Sequence, residues 1–390
     1  MRRRNMKDAN VGVKLPMGLV FLFIICLPLV DGFFNVIPEQ RLQEKRKPEQ
    51  PEVFVFDSVF QYIQQYTRYF NDSFFYRGPL IRFHNKIKYQ WFNVSGVPKV
   101  IIGKDGWLFQ ARKSEEPGTP GYFPSIQLFT PRQLEEWTRL VEQRRRWLAK
   151  RGIDYLLILV PDKGSVYPEY LPDSLQPFYH RSRLAQLAAY LRTHSTVPVL
   201  DLRNTLLPAK KDVLLYCKTD SHWNRYGACI AAHAIINRLS ERFPNIEPLN
   251  LSDFQLRIRG KRKGGNLALM LSLQRTLFRE EWVGMIPRVP FRAEKAPSSV
   301  KNPHTVKGEA FQRSGSGFPR AVMFHDSFGV RLKRYLSEHF SRILYLRDWG
   351  FRFHVDEVKE DAPAIVLDEI SEFFLYGAIF DNSPIDNSKE

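Results

Sequence analysis

Cysteine is nearly missing from this chain: Cys26, Cys217 and Cys229 are the only three in 390 residues. So few exclude a disulfide-stapled scaffold, and none has the spacing of a zinc knuckle. Finger spacings and the aromatic signature of an RNA-binding sheet are also lacking, which sets nucleic acid aside as a partner. There is no internal repeat and no low-complexity tract. Acidic residues are in deficit, since 58 Lys and Arg face 41 Asp and Glu for a formal charge of +17. Arg2, Arg3, Arg4, Lys7 and Lys14 carry part of the excess. A dense run at Arg257, Arg259, Lys261, Arg262 and Lys263 carries more. That balance fits an anionic partner, such as an acidic polysaccharide or lipid headgroups, or a solvated basic surface. Cys217 and Cys229 either pair in an oxidising compartment or stay as buried free thiols.

Long apolar runs are lacking too, with one exception. Leu15–Val30 is almost wholly apolar and follows the basic stretch Met1–Lys14. No small-x-small cleavage site follows it. Residues 1–37 are therefore expected to be a cytoplasmic basic tip and an uncleaved single-pass anchor in the inner membrane, with the rest exported. Phe23-Ile24-Ile25 before Cys26 does not suit lipoprotein processing.

Residues 38–95 read as a proline-punctuated linker and a helical lead-in, 96–380 as the main domain, and 381–390 as a tail. Phe60, Ile63, Tyr66, Phe70, Leu80, Ile81, Phe83 and Ile87 carry helical spacing over 57–92. Asp105-Gly106 between apolar residues predicts a hairpin. Thr130, Pro131 and Gln133 predict a capped helix whose apolar face holds Leu134, Trp137, Leu140, Val141, Trp147 and Leu148, with Gly152 ending it. Short apolar runs at 153–160, 197–200, 321–324, 343–346 and 364–367 predict strands. They alternate with helices marked by Leu184–Leu191, Ala228–Leu239 and Val330–Phe340. The fold class expected is a three-layer α/β/α arrangement around a mostly parallel sheet, preceded by the membrane helix. Residues 251–320 give no clear pattern beyond a core-like stretch at 266–273.

Two motifs carry the chemistry. Phe324-His325-Asp326-Ser327-Phe328-Gly329 places a serine where a buried strand turns into a helix. There its hydroxyl is exposed, and the N–H groups of Ser327 and Phe328 can face a developing oxyanion. The plainer reading is a helix cap. Thr219-Asp220-Ser221-His222-Trp223 puts a carboxylate two residues from an imidazole. The plainer reading has Asp220 capping the next helix and His222 packing under Trp223. Both motifs fall at the carboxyl ends of parallel strands, where such sheets bind ligands. Together they supply nucleophile, base and orienter for acyl transfer. Asp220, His222, His325, Asp326 and His354 include metal-ligand types but lack the usual spacing, so no metal or cofactor is expected.

These motifs, with Gly103-Lys104-Asp105-Gly106-Trp107-Leu108-Phe109, Pro161-Asp162-Lys163, Tyr167-Pro168-Glu169-Tyr170-Leu171-Pro172 and Gly265-Asn266-Leu267-Ala268, resemble the alginate O-acetyltransferase AlgJ/AlgX family. The resemblance covers most of 38–375, with a layout closer to AlgJ. It implies an SGNH-hydrolase-like domain in the periplasm that acetylates hydroxyls of an exported polysaccharide, alginate or another. It assigns Ser327 as acetyl-carrying nucleophile, His222 as base and Asp220 as orienter. Asn266 joins Ser327 and Phe328 as a candidate oxyanion donor. Asp162, Lys163, Tyr167 and Trp223 are candidates for glycan contact or for supporting the triad. The implied partners are a polysaccharide acceptor, anionic if the basic surface meets it, and a separate polytopic membrane O-acyltransferase that supplies acetyl groups. The chain departs from the family pattern at His325, at Asn266, and at Asp368-Glu369-Ile370-Ser371-Glu372-Phe373, which lacks an arginine. An acetylesterase using the same triad, and a silent scaffold of an export complex, are the alternatives.

Overall fold

Short helices open the described part of the chain. The computed structural model describes residues 19, 22, 59–73, 77–113, 122–123, 128–176, 182–300, 306–314, 317–348 and 350–380. Apart from residues 19 and 22, the expected anchor lies outside them, as do the linker up to 58, Cys26 and the tail. Among the described residues no helix is long and apolar enough to cross a membrane.

Those residues form two units. The first comprises residues up to 96 together with 269–273. It holds helices α1 (Val59–Ser73) and α2 (Arg77–Phe92), so the expected helical spacing is divided between two elements. Its apolar stripe is not buried, for Phe60, Ile63, Tyr66, Leu80 and Phe83 are all exposed. Helix α2 turns Gly78 and Asn85 inward instead, and the Asn85 amide donates to Leu271 O at 2.9 Å.

The second unit begins with strands β1 (Val100–Ile102) and β2 (Leu108–Gln110). Asp105 and Gly106 take the positive φ values expected, 51° and 76°. The connection is longer than a two-residue turn, because pairing stops at Ile102 and Leu108 and the Gly103 N–H donates to Trp107 O. Helix α3 (Pro131–Ala149) starts with the expected reciprocal cap between Thr130 and Gln133. It buries all six predicted apolar residues. Strand β3 (Asp154–Val160), helix α4 (Arg183–His194), strand β4 (Val199–Asp201) and helices α5 (Arg203–Ala209) and α6 (Arg225–Ser240) follow. Strands β5 (Phe254–Lys263) and β6 (Arg279–Pro287) form a separate antiparallel ribbon within the stretch that gave no clear pattern. Phe254, Leu256 and Ile258 do alternate, but a bulge at Gly260 and the charged run beyond it end the signal. Then come β7 (Glu294–Ala296), β8 (Lys307–Gln312), β9 (Arg320–His325), β10 (Arg342–Arg347), helix α7 (Val355–Asp361), β11 (Ile365–Ser371) and helix α8 (Leu375–Phe380).

The sheet order is β4-β3-β11-β9-β10-β8-β7. All five predicted strands lie in it and run parallel, while β8 and β7 extend one edge antiparallel. Successive residues feed opposite faces. Leu156, Ile158, Met323, Tyr345 and Leu367 pack with Ala228, Ala231 and Ile235 of α6. Leu157, Leu159, Val322, Leu344 and Val366 pack with α3 and α4. Helices thus cover both faces, which explains why these strands read as continuous apolar runs.

One charge sits inside the α3 layer. Asp368 on β11 is fully buried, pairs with the Arg144 guanidinium of α3 and accepts the Tyr155 hydroxyl at 2.8 Å. Arg144→Leu should lower the unfolding free energy by about 3–5 kcal/mol, because it strands a buried carboxylate. Urea midpoints check this, and Asp368→Asn added to Arg144→Leu should recover part of the loss.

Candidate active site

Parallel strands finish at a common edge, and β9 finishes two residues before Ser327. The Ser327 hydroxyl lies 2.8 Å from His222 Nε2. The predicted helix after it is broken into a 3-10 turn at Gly329–Arg331, a four-residue helix at Lys333–Leu336 and another 3-10 turn. Val330 is exposed rather than part of an apolar face. Ser327 caps none of these elements, so the capping reading falls. Gly329 permits the tight turn: a Cβ there would lie 2.5 Å from that of His325.

The partner loop is a small hairpin-like excursion. Tyr216 and Trp223 form an isolated antiparallel bridge, and the Asn224 N–H donates to Leu215 O at 2.7 Å. Residues 217–222 are presented at its tip. Asn224, not Asp220, caps α6, its side chain accepting the Tyr226 and Gly227 N–H groups. Asp220 is thereby free for the imidazole, and its Oδ1 lies 2.7 Å from His222 Nδ1. It also accepts the His222 and Asn266 N–H groups at 3.0 and 2.9 Å. Burial acts to raise the Asp220 carboxyl, but His222 and these N–H donors outweigh it and hold it well below the usual range. An ionised Asp220 keeps the Nδ1–H tautomer, leaving Nε2 to accept the Ser327 proton. Gly265 packs against the carboxylate; a Cβ would lie 2.4 Å from Asp220 Cβ.

Beneath Ser327 lies an acidic network. Asp326 accepts the Phe328 N–H at 2.7 Å and the Ser371 N–H at 2.9 Å, while its own N–H donates to Glu369 at 3.1 Å. Burial raises both carboxyls. It raises Glu369 further, because Asp326 lies beside it. Burial likewise takes His325 down to about 3, so its neutral ring donates Nδ1–H to Asp326 O at 2.6 Å. This arrangement corrects one expectation. The Phe328 N–H is consumed by Asp326 and cannot serve an oxyanion. The Ser327 N–H has no partner among the described residues. The Asn266 carboxamide braces Ser221, accepting its N–H at 2.9 Å and donating to its hydroxyl at 2.8 Å. One of its two amide hydrogens is not used in this bracing.

Of the two uses expected for Asp162, Lys163, Tyr167 and Trp223, glycan contact or support of the triad, the geometry fits support. Lys163 is buried, and its ammonium donates to the carbonyls of Cys217, Lys218 and Asp220 at 3.0, 3.0 and 2.6 Å. Burial draws it down to about 8, against the upward pull of Glu280 and Asp220. Tyr167 is buried and its hydroxyl accepts the Leu215 N–H at 2.8 Å. Trp223 is fully enclosed, meeting Phe328 edge-on at 5.2 Å. Asp162 accepts the Phe373 N–H at 3.1 Å. All four brace the loop or the strand ends, because aromatic and charged groups at this edge fill the space between β3, β11 and the loop. Glu280 of β6 went unread in the sequence; it accepts the Lys218 and Thr219 N–H groups at 2.9 and 2.7 Å. Cys217 and Cys229 are free buried thiols, pushed by burial up to about 12. His354 pairs with Asp348 at 2.7 Å.

Three comparisons bear on this geometry. A Pseudomonas aeruginosa protein named probable alginate O-acetylase AlgJ is 35% identical over 133 residues, 34% of this chain and 31% of that protein. Its Pseudomonas fluorescens namesake is 32% identical over 170 residues, 42% of this chain and 39% of that protein. The chain thus spans only 31% and 39% of the length of these two curated relatives. Among solved structures, Bacillus cereus PatB1 is similar with a TM-score of 0.52 at 15% identity, covering 71% of this chain and 97% of that one. That likeness concerns the fold. The family described as SGNH hydrolase-like domain, acetyltransferase AlgX, matches residues 100–299, a stretch containing Asp220, His222 and Asn266. With half its length matched, the chain belongs to the AlgX family of SGNH hydrolase-like acetyltransferase domains.

Proposed function

We propose that the protein is an O-acetyltransferase that moves an acetyl group through an acetyl-Ser327 intermediate onto a hydroxyl of an exported polysaccharide, alginate or another. The observation that carries this reading is the continuous chain of hydrogen bonds from Asp220 through His222 to Ser327. Ser327 Oγ attacks the acetyl carbonyl of a donor ester while its proton passes to His222 Nε2. Asp220 stabilises the imidazolium that results. Collapse of the tetrahedral species breaks the donor's ester bond, and His222 returns the proton to the departing oxygen. A sugar hydroxyl then repeats the sequence on acetyl-Ser327, giving its proton to His222, and Ser327 recovers its own. The Ser327 N–H and the remaining Asn266 amide hydrogen are the candidates for oxyanion stabilisation. The named relatives support a polysaccharide acceptor. The acetyl source is assigned to a separate polytopic membrane O-acyltransferase. The apolar run Leu15–Val30 supports a single-pass anchor with the body in the periplasm. A reporter fused after residue 60 should then be active only on the periplasmic side.

Incubating the full chain with an activated acetyl ester and oligosaccharides, with mass spectrometry of protein and glycan, tests the reading. Ser327→Ala should form no acetyl-protein. His222→Ala should slow its formation by roughly 10²–10⁴. Asp220→Asn should keep the fold and lose turnover through the wrong tautomer. Adding Asp220→Asn to His222→Ala should cost little more than His222→Ala alone, since the groups act as a unit. Free acetate as the sole product, with every acceptor unmodified, would instead mark an esterase.

Lys163 gives a separate expectation. Lys163→Met should cost about 2–3 kcal/mol of stability, since it leaves carbonyls of the loop without their charged donor. It should also lower the rate of Ser327 acetylation, because His222 loses its fixed place. Thermal midpoints and burst kinetics read the two effects.

A further inference from the structure

Among the described residues, half of the large apolar side chains that stay exposed lie between positions 60 and 94. Phe60, Ile63 and Tyr66 of α1 are among them, as are Leu80, Phe83 and Trp91 of α2, and the exposure reaches 84% at Phe60 and 76% at Trp91. With 3.6 residues per turn the three of α1 share one side, and Gln61, Gln65 and Arg68 take the other. Leu80, Phe83, Ile87 and Trp91 recur at three- and four-residue steps and share a side of α2. The rings of Tyr62, Tyr66 and Tyr69 line α1, with centres 6.1 and 6.4 Å apart. Apolar side chains exposed singly mean nothing, but a contiguous set marks an interaction site. The charge around this set is of one sign. Residues 59–96 hold five Lys and Arg against one acid, Asp72. Among the described residues Arg68, Arg82, Lys86 and Lys88 enter no ion pair.

We propose that α1 and α2 lie flat on an anionic lipid bilayer, with their apolar sides sunk to the acyl-chain boundary and their cations against lipid phosphates. Aromatic and aliphatic side chains on one side, flanked by unpaired Lys and Arg, are the profile of helices that rest in the interface rather than cross it. Anionic headgroups complement the excess of positive charge, and each cation near such a surface adds to the attraction. The position in the chain supports the same occupant. Only 28 residues, 31–58, separate the apolar run Leu15–Val30 from α1. Even fully extended they reach about 90–100 Å, so a run held in the bilayer keeps both helices close to it. The proposal rests on the single-pass anchor of the proposed function and adds a second contact: the span tethers the chain, and the helices hold the segment that follows against the surface.

The test uses the full chain with the photoreactive residue p-benzoylphenylalanine at one position. The protein is reconstituted into vesicles of phosphatidylethanolamine and phosphatidylglycerol, irradiated and examined by mass spectrometry. In place of Ile63 or Phe83 the probe should capture phospholipid, and in place of Gln61, on the opposite side of α1, it should capture little. The probe in place of Leu22 reports the anchor separately. Lipid at Ile63 and Phe83 without lipid at Leu22 upholds the helices and removes the anchor. Replacing phosphatidylglycerol with phosphatidylcholine, or combining Lys86→Glu with Lys88→Glu, should cut capture at Phe83 by roughly fivefold or more. Added salt should weaken it too. Thermal midpoints confirm that the variants fold. No lipid at Ile63 and Phe83, or equal capture at Ile63 and Gln61, overturns the proposal. Capture that ignores both the lipid charge and the charge reversal overturns the anionic assignment. In native membranes, a single protein captured at these positions in place of lipid gives the face to a protein partner and overturns the proposal as well.

Discussion

A single buried ammonium holds the loop on which this site depends. Lys163 leaves the carboxyl end of β3 and donates to three carbonyls of the 217–220 segment, while Glu280 takes two N–H groups of the same segment from the other side. A loop of this length has no sheet or helix to satisfy its backbone, and buried backbone groups left unpaired are costly. Two charged side chains therefore do for it what a ladder does for a strand. Charge-assisted hydrogen bonds are the stronger kind, and here they converge on the residues that bear the imidazole. With the backbone held, the Asp220 carboxylate needs only short-range contacts to orient His222.

The serine side is built differently. Its turn rests on carboxyl groups: Asp326 ties the Phe328 and Ser371 N–H groups, Glu369 receives the Asp326 N–H, and Glu372 receives the Asp162 N–H. Next to them Asp368 is neutralised by Arg144. The acidic run of β11 is thus an internal scaffold that joins the ends of β3, β9 and β11, rather than a surface. The energetic burden of so many buried acids is eased in two ways. Burial, and then the neighbouring Asp326, push the Glu369 carboxyl up and so favour its neutral form, and Asp326 is surrounded by donors.

Elements whose signal is local are legible in the sequence. The cap at Thr130, the apolar face of α3, the five parallel strands and the stripe of α6 follow from spacing alone, and all are present. The apolar stripe of α1 and α2 is equally legible as helix, yet its exposure is not, because periodicity says which residues share a face and not what covers it. The β5–β6 ribbon escapes because its alternation is short and its second half is charged.

At the site, the chain's residues by themselves determined which groups are available: a serine after a buried strand, and a carboxylate and an imidazole two positions apart. The tertiary structure alone decided that they meet, since the contact from His222 to Ser327 joins positions 105 residues apart. It also decided what surrounds them. Lys163, Tyr167 and Trp223 have the side chains of a sugar site and are buried as braces, and Phe328 loses its N–H to Asp326. The reason is physical. Residue type sets what a group can donate, accept or ionise, whereas which of those capacities is left unspent depends on neighbours that only the folded chain brings near.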